Sequence, residues 1–282
     1  MEHLKKLNIQ VFRMKSTLTI SGLEASVNAK TGELCSIIKD GKEIMWGGGR
    51  PANHQSGTER RGWPHSAIIM FPLVGPAKKH QNGDFINYGV YHCPMVQHGI
   101  FRHIPIAVSK YNNEIRTYQQ YISDKTIKTE KGPARWPYSC KLEARYLFNT
   151  ANIEAQFIIE NTFHVPIPFS FGWHPAFNTE MGFEINNHGE KFTLKDILKE
   201  KTLYLEKNST VTYEDNSKRI DLEHTFGNIM IWNPKDAPLV CLEPVTGLPV
   251  RTGKETSGSY ESCELRPGRI KDYYVKIIPC LK

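Results

Sequence analysis

Strict two-residue alternation is the feature that most limits how this chain can fold. Leu142, Ala144, Tyr146 and Phe148 fall on one side of an extended segment, with Glu143, Arg145 and Asn149 on the other. After a polar connection at Asn149-Thr150-Ala151, the set Ile153, Ala155, Phe157 and Ile159 alternates with Asn152, Glu154, Gln156 and Glu160. Successive side chains of a strand point to opposite faces, so the two runs predict an antiparallel hairpin with one dry and one wet face. Tyr273, Val275 and Ile277 repeat the pattern near the C-terminus, and segments 113–121, 228–232 and 238–242 are further predicted strands. One short helix is predicted over 193–203, where Thr193-x-x-Asp196 supplies a start signal and Leu194, Ile197 and Leu198 share a face.

The rest of the chain agrees with a turn-rich β protein, since 21 glycines and 17 prolines occur in 282 residues. No Pro/Ser-rich linker, composition break or fixed-period repeat divides it, which predicts one all-β domain over residues 1–282, a large sandwich. The glycine-rich segment 47–62 reads as a long surface loop, either decoration or the rim of a site. No apolar run approaches the ~20 residues of a membrane helix. The start, Met1-Glu2-His3-Leu4-Lys5-Lys6, lacks the apolar core of a signal peptide. The expectation is a soluble, cytoplasmic protein with no membrane partner. Cys35, Cys93, Cys140, Cys241, Cys263 and Cys280 form no Cys-x-x-Cys pair, so most are expected to be reduced and buried. The net charge of +7 is spread among acids without basic runs, the pattern of a solvated surface and not of a nucleic-acid binder.

Three segments look unlike plain strand or turn: Gln97-His98-Gly99-Ile100-Phe101-Arg102, Phe171-Gly172-Trp173-His174-Pro175-Ala176-Phe177 and Cys241-Leu242-Glu243-Pro244-Val245-Thr246-Gly247. Pro175 pushes His174 toward extended geometry, and Trp173 and Phe177 can wall it, which suits either a structural histidine or a polar ring presented to a sugar-sized ligand. If the strand stays regular, Glu243 shares a face with Cys241 and Leu239. A carboxylate there costs free energy unless it is paired or opens into a wet cleft. The bland alternative is a strand-end glutamate turned to solvent. His98 sits in a glycine-containing turn with Arg102 four residues on, a pattern that also suits backbone bonding and a surface salt bridge. His92, Cys93, His98 and His103 match neither a helical histidine pair nor a zinc knuckle, and Pro94 and Pro105 break the segment, so no metal is expected. No phosphate-binding loop, Gly-x-Gly-x-x-Gly or Gly-x-Ser-x-Gly is present, leaving nucleotide cofactors and esterase chemistry without support.

Taken together and in order, the three segments resemble the aldose 1-epimerase (mutarotase-like) family. The resemblance runs from Lys42-Glu43-Ile44-Met45-Trp46 and Met70-Phe71-Pro72-Leu73-Val74-Gly75 through His98–Arg102 and Gly172–Phe177. It continues in Ile231-Trp232, Leu242-Glu243-Pro244 and the tail Leu265-Arg266-Pro267-Gly268. It implies a large antiparallel β-supersandwich of the galactose-mutarotase type. It also implies interconversion of the α and β anomers of a free sugar or a hexose 6-phosphate without metal or organic cofactor. The implied roles are His174 as acid, Glu243 as base and His98 as a substrate contact, with Arg102 a further candidate for substrate binding. Opening a pyranose removes the proton of the anomeric hydroxyl while protonating the ring oxygen. A glutamate of ordinary pKa accepts the first proton at pH 7, and an imidazolium gives the second. Donor and acceptor are expected to straddle a ring roughly 5 Å across at hydrogen-bond reach.

Ile100-Phe101, Val245 and Asn53-His54 depart from the family's usual residues and bear on which sugar is used. Arg50, Arg60 and Arg61, with Arg102, suggest an anionic sugar, because guanidinium forks suit phosphate. The alternative from another class is a carbohydrate-binding or sugar-sensing protein that keeps the cleft without turnover. The presence of both acid and base favours the enzyme.

Overall fold

The computed structural model describes residues 15–20, 22–46, 65–77, 85–88, 91–180, 182–234, 237–247 and 263–282. The predicted hairpin forms its centre. Strands Cys140–Phe148 and Ile153–Asn161 pair antiparallel, with Leu142 opposite Ile159 and Phe148 opposite Ile153. All eight inward apolar residues named for them are buried, while the residues between are half-buried. The turn is closed by Asn149, whose backbone N–H donates to the Asn152 carbonyl and whose Nδ2 donates to Asn152 Oδ1, each at 2.9 Å.

The hairpin lies inside a nine-stranded sheet, in which Ile153–Asn161 also pairs with Ile270–Leu281 and Cys140–Phe148 with Glu114–Tyr121. Tyr273, Val275 and Ile277 point inward as the alternation requires. A five-stranded sheet packs against this one, in the order Leu203–Leu205, Asn228–Trp232, Leu239–Val245, Gly172–Asn178, Ala67–Met70. Its inner face sends Ile69, Trp173, Phe177, Ile229, Ile231, Val240 and Leu242 into one core with Tyr146 and Phe157. The Trp173 ring lies 5.5 Å from Phe157 and 6.5 Å from Tyr146. Ala25, Val27 and Ile37 of a four-stranded N-terminal sheet complete the same core. Burying each large side chain contributes about 1.5–3 kcal/mol, so facing sheets with aromatic rings between them are held chiefly by this layer. Among the described residues every strand pairing is antiparallel, and one isolated parallel bridge joins Phe71 to Gly99. The fold is the expected large antiparallel β-supersandwich.

Two predicted elements differ in extent. The helix is Leu194–Glu200, not 193–203. Its start follows the sequence signal, since the Asp196 carboxylate accepts from the Thr193 backbone N–H at 2.8 Å and from its hydroxyl at 2.7 Å. It stops at Lys201, whose φ of 64° is left-handed, because Leu203–Leu205 instead pairs as a strand with Asn228–Trp232. Only Ile197 of its three apolar residues is buried. The strand predicted over 238–242 is Leu239–Val245 and runs on through Pro244.

All six cysteines are free thiols, with Cys35, Cys93, Cys140 and Cys241 buried, Cys263 half-buried and Cys280 exposed. Among the described residues no helix is long and apolar enough to cross a membrane. The loop expected over 47–62, with Arg50, Arg60 and Arg61, lies outside the described residues.

Candidate active site

The outer face of the five-stranded sheet carries the candidate residues His174 and Glu243. Because strand residues alternate between faces, the partners of Trp173 and Leu242 on the core side fix what lies on the other side. Register then arranges the outer side chains in rows. Met70, Gly172, Val245 and Asn228 are successive cross-strand partners in one row. Two residues along, Ile68 pairs with His174, and Glu243 pairs with Met230. Two further along, Ala176, Cys241 and Trp232 are partners.

The constant register on either side, Gly172 to Val245 and Ala176 to Cys241, sets His174 directly opposite Glu243. Backbone pairing is interrupted between those points. Pro175 and Pro244 fall in the interval and supply no amide hydrogen. The side chains meet instead: His174 Nε2 lies 3.2 Å from Glu243 Oε1. Both residues are buried, at 4% and 2% exposure. Two small apolar groups flank them, Ile68, Met70, Val74, Met230 and Val245 on one side and Trp46, Ala176, Leu239 and Cys241 on the other. Gly172 is needed in this packing, since a Cβ there would come within 2.5 Å of Met70 Cε and 2.9 Å of Val245 Cγ1.

His98 reaches the pair from a turn outside the sheet. Its backbone is clamped just beyond the end of the strand Ala67–Met70. Its N–H donates to the Gly75 carbonyl at 2.9 Å, and its carbonyl accepts from the Phe71 N–H at 3.2 Å. His98 has φ 64° and Gly99 φ 75°, both left-handed. A Cβ at Gly99 would lie 2.2 Å from the Phe71 carbonyl oxygen, so this turn admits only glycine there. The Gly75 N–H donates to His98 Nδ1 at 3.2 Å, which leaves the ring hydrogen on Nε2. Nε2 stands 3.1 Å from the side-chain amide of Gln97, whose oxygen end suits that donor.

Burial governs the charges. Loss of water around His174, aided by the neighbouring His98, holds its imidazole well below the ordinary histidine range. Burial likewise pushes the Glu243 carboxyl well above the ordinary carboxylate range. These directions correct the expectation of an ordinary glutamate facing an imidazolium, because the cost of two charges without water outweighs their attraction. The pair is best described as sharing one proton with no net charge. His98 is lowered to about 3, first by burial and then by the Arg102 charge, so it is a neutral donor near pH 7.

The structure thus brings His98, His174 and Glu243 together. Arg102 is near but separate: it lies on the turn Phe101–His103, and its Nε donates to His103 Nε2 at 3.1 Å. Sequence reasoning missed Trp232, whose half-buried ring stands edge to face with His174 at 5.8 Å. It also missed His65, whose Nδ1 lies 3.2 Å from Glu33 Oε1, and Cys241, beside Glu243 on the same face. Trp232 lies in the Ile231-Trp232 segment of the family resemblance but carried no assigned role, and no local signal marks the Glu33–His65 contact. Cys241 was visible as a neighbour in the alternation, though not as a participant. A buried carboxyl in contact with a buried imidazole is an arrangement able to hand a proton from one group to the other.

Comparison with known proteins gives the family. The sequence profile of the family described as aldose 1-epimerase matches residues 14–225. The chain belongs to the aldose 1-epimerase family, and hence to the isomerases. The matched segment contains His98, Arg102 and His174, while Glu243 lies beyond it. No curated protein matches in a sequence search. Among solved structures, a galactose mutarotase-like protein from Lactobacillus casei is similar with TM-score 0.77 at 21% identity, covering 94% of this chain and 100% of that one. A galactose mutarotase related enzyme from Lactobacillus acidophilus gives TM-score 0.77 at 19% identity, covering 95% and 97%. A galactose 1-epimerase from Lactobacillus acidophilus gives 0.64 at 12%, covering 95% and 94%. At these identities the likeness is one of fold.

Proposed function

We propose that the protein interconverts the α and β anomers of an aldose, free or 6-phosphorylated, by acid/base ring opening and reclosure at His174 and Glu243. The observation that carries this reading is the buried 3.2 Å contact between His174 Nε2 and Glu243 Oε1. The anomeric hydroxyl oxygen and the ring oxygen are bonded to the same carbon. Acid and base can therefore work side by side without straddling the ring.

The shared proton moves to His174 to give the reactive form. Glu243 then takes the proton of the anomeric hydroxyl, and His174 gives its own to the ring oxygen as the C1–O5 bond breaks. The products are an open aldehyde, neutral His174 and protonated Glu243. That is the uncharged form that burial favours, so desolvation works in the direction of ring opening. Rotation about C1–C2 and the reverse transfers close the other anomer. Neutral His98 exchanges its Nε2–H bond to Gln97 for one to a substrate oxygen, and the Trp232 ring walls the sugar.

The test is NMR exchange of a panel of pure anomers, free and phosphorylated, corrected for the spontaneous rate. Acceleration for at least one sugar, abolished in Glu243→Gln, is the expected result. No acceleration across the panel, with sugars nevertheless bound, moves the reading to a binding or sensing protein.

A further inference from the structure

We propose that Cys241 joins His174 and Glu243 in a binding site for a thiophilic divalent cation of the zinc class, and that such an ion inhibits the enzyme. This goes beyond the anomer chemistry, which uses no metal.

Among the described residues, His174, Cys241 and Glu243 form a group in which Nε2 or Nδ1, Sγ and a carboxylate oxygen all lie within 4.8 Å of one another, every residue buried. The sheet explains the convergence. Cys241 and Glu243 are two apart on one strand and share its outer face, and His174 stands opposite Glu243 on the next strand. Opposite Cys241 is Ala176, whose side chain ends at Cβ. In a tetrahedral zinc site with bonds of about 2.0–2.3 Å, ligand atoms stand roughly 3.3–3.6 Å apart. His174 and Glu243 already stand at 3.2 Å, so only the cysteine must close in, by about 1 Å.

The charge arithmetic favours the same ion. A thiolate, a carboxylate and a neutral imidazole balance a doubly positive ion, leaving a neutral complex in a site where burial penalises net charge. Binding sends two protons to solvent, one from the thiol and one from the His174–Glu243 pair. His98 on its turn, His65 and Arg102 act on His174, and the Glu33 carboxylate behind His65 is engaged with that histidine at 3.2 Å. Sulfur and nitrogen ligands select zinc, cobalt or cadmium over magnesium or calcium, which prefer oxygen. Three protein ligands leave a fourth position for water or a sugar hydroxyl. The ion occupies the lone pairs that proton transfer needs, so it competes with turnover.

The test is titration of the full chain with cobalt(II), reading the thiolate-to-cobalt charge-transfer absorption. One ion per chain is expected. The band should be lost in Cys241→Ser but kept in Cys263→Ser and Cys280→Ser, which remove the half-buried and the exposed thiol. Zinc should displace cobalt, magnesium should not, and zinc inhibition of anomer exchange should be reversed by chelator and weakened at least tenfold in Cys241→Ser. X-ray absorption of the wild-type zinc complex, with one sulfur near about 2.3 Å, serves if the variant fails to fold. A band that survives Cys241→Ser, or a zinc complex with no sulfur ligand, overturns the proposal. Because the cobalt spectrum needs no turnover, it separates failure of this site from failure of the epimerase reading.

Discussion

The imidazole of His98 stands perpendicular to that of His174, with 5.5 Å between the ring centroids. Two histidines this close cannot both be cationic at low cost in a buried site. His98 is the one fixed as neutral, because its Nδ1 already accepts from the Gly75 N–H and its protonation would lose that bond. The mobile proton is thereby confined to His174 and Glu243. In the proposed function this lets His98 orient a sugar without competing for that proton.

Removing either member of the pair should stop exchange without unfolding the protein. Glu243→Gln and His174→Asn each keep polarity and approximate size, and each is expected to slow anomer exchange by about 10²-fold or more. The double variant should lose far less than the product of the two losses, since half a proton relay has little left to lose. Exchange by NMR, alongside a thermal melt, checks this. Normal exchange in Glu243→Gln with an unchanged melt removes Glu243 from the mechanism.

The pH profile should carry the signature of burial. Adding a second proton to the pair makes it cationic and removing the shared one makes it anionic, and both states are penalised without water. The acid limb of kcat/KM is therefore expected below the ordinary histidine value of 6.5. The alkaline limb is expected well above the ordinary glutamate value of 4.5. The result is a plateau between the two limbs. An acid limb at or above 6.5 would mean a solvated imidazolium and would contradict the one-proton description.

Gly99→Ala should damage substrate recognition more than its small size suggests. The added Cβ meets the backbone of Phe71, which has no freedom to move aside, and the left-handed backbone adds strain. The turn must shift and take His98 with it, so KM is expected to rise by about tenfold, the value of one hydrogen bond. Gly189→Ala is the control, because its φ of 91° is equally left-handed but a Cβ there meets nothing within 4 Å. Equal KM values in the two variants would sink the argument.

Far from the site, Asp215 and Lys218 form a buried pair, Nζ to Oδ2 at 2.9 Å, with side-chain exposures of 0% and 2%. Burial alone raises the Asp215 pKa, but hydrogen bonds from Tyr213, Lys218 and Ser217 outweigh it and hold the carboxyl well below the ordinary range. A depressed carboxylate contributes stability that is present above its unfolded value of 3.8 and lost as pH falls through the folded one. Asp215→Ala strands the lysine and should cost about 3–5 kcal/mol. Acid titration followed by circular dichroism should show stability falling below pH 3.8 in the wild type and a flatter dependence in Asp215→Asn, the slopes being the decisive comparison.

Legibility in the sequence followed burial on one face or two. The hairpin from Leu142 to Ile159 alternates because one side is dry and the other half-wet, so its strands and inward residues could be read directly. Leu23–Asn28 also alternates, Leu23, Ala25 and Val27 against Glu24, Ser26 and Asn28, but the run is only six residues long with Ser26 buried as well, and the N-terminal sheet went unpredicted. Leu239–Val245 is buried throughout, and Pro244 made its end look three residues too early. For the site, alternation put Glu243 on the face of Cys241, and the family resemblance singled out His174 and His98. Their meeting depends on a register between strands nearly seventy residues apart, which no local pattern encodes. The shift in their proton affinities followed from the same hidden fact, since both are far drier than their neighbours in sequence imply.

The pair and its partner histidine belong to different kinds of backbone. His174 and Glu243 are fixed on interior strands of a sheet, with Trp173 and Leu242 anchoring the same strands in the core from behind. His98 sits on a turn held by a few backbone bonds. Redesign of the turn and its surroundings therefore offers a route to a new sugar, while redesign of the strands risks the whole sandwich. A library directed at Gln97, His98 and Arg102 should yield folded variants with altered substrate choice far more often than one directed at Trp173, His174 and Pro175.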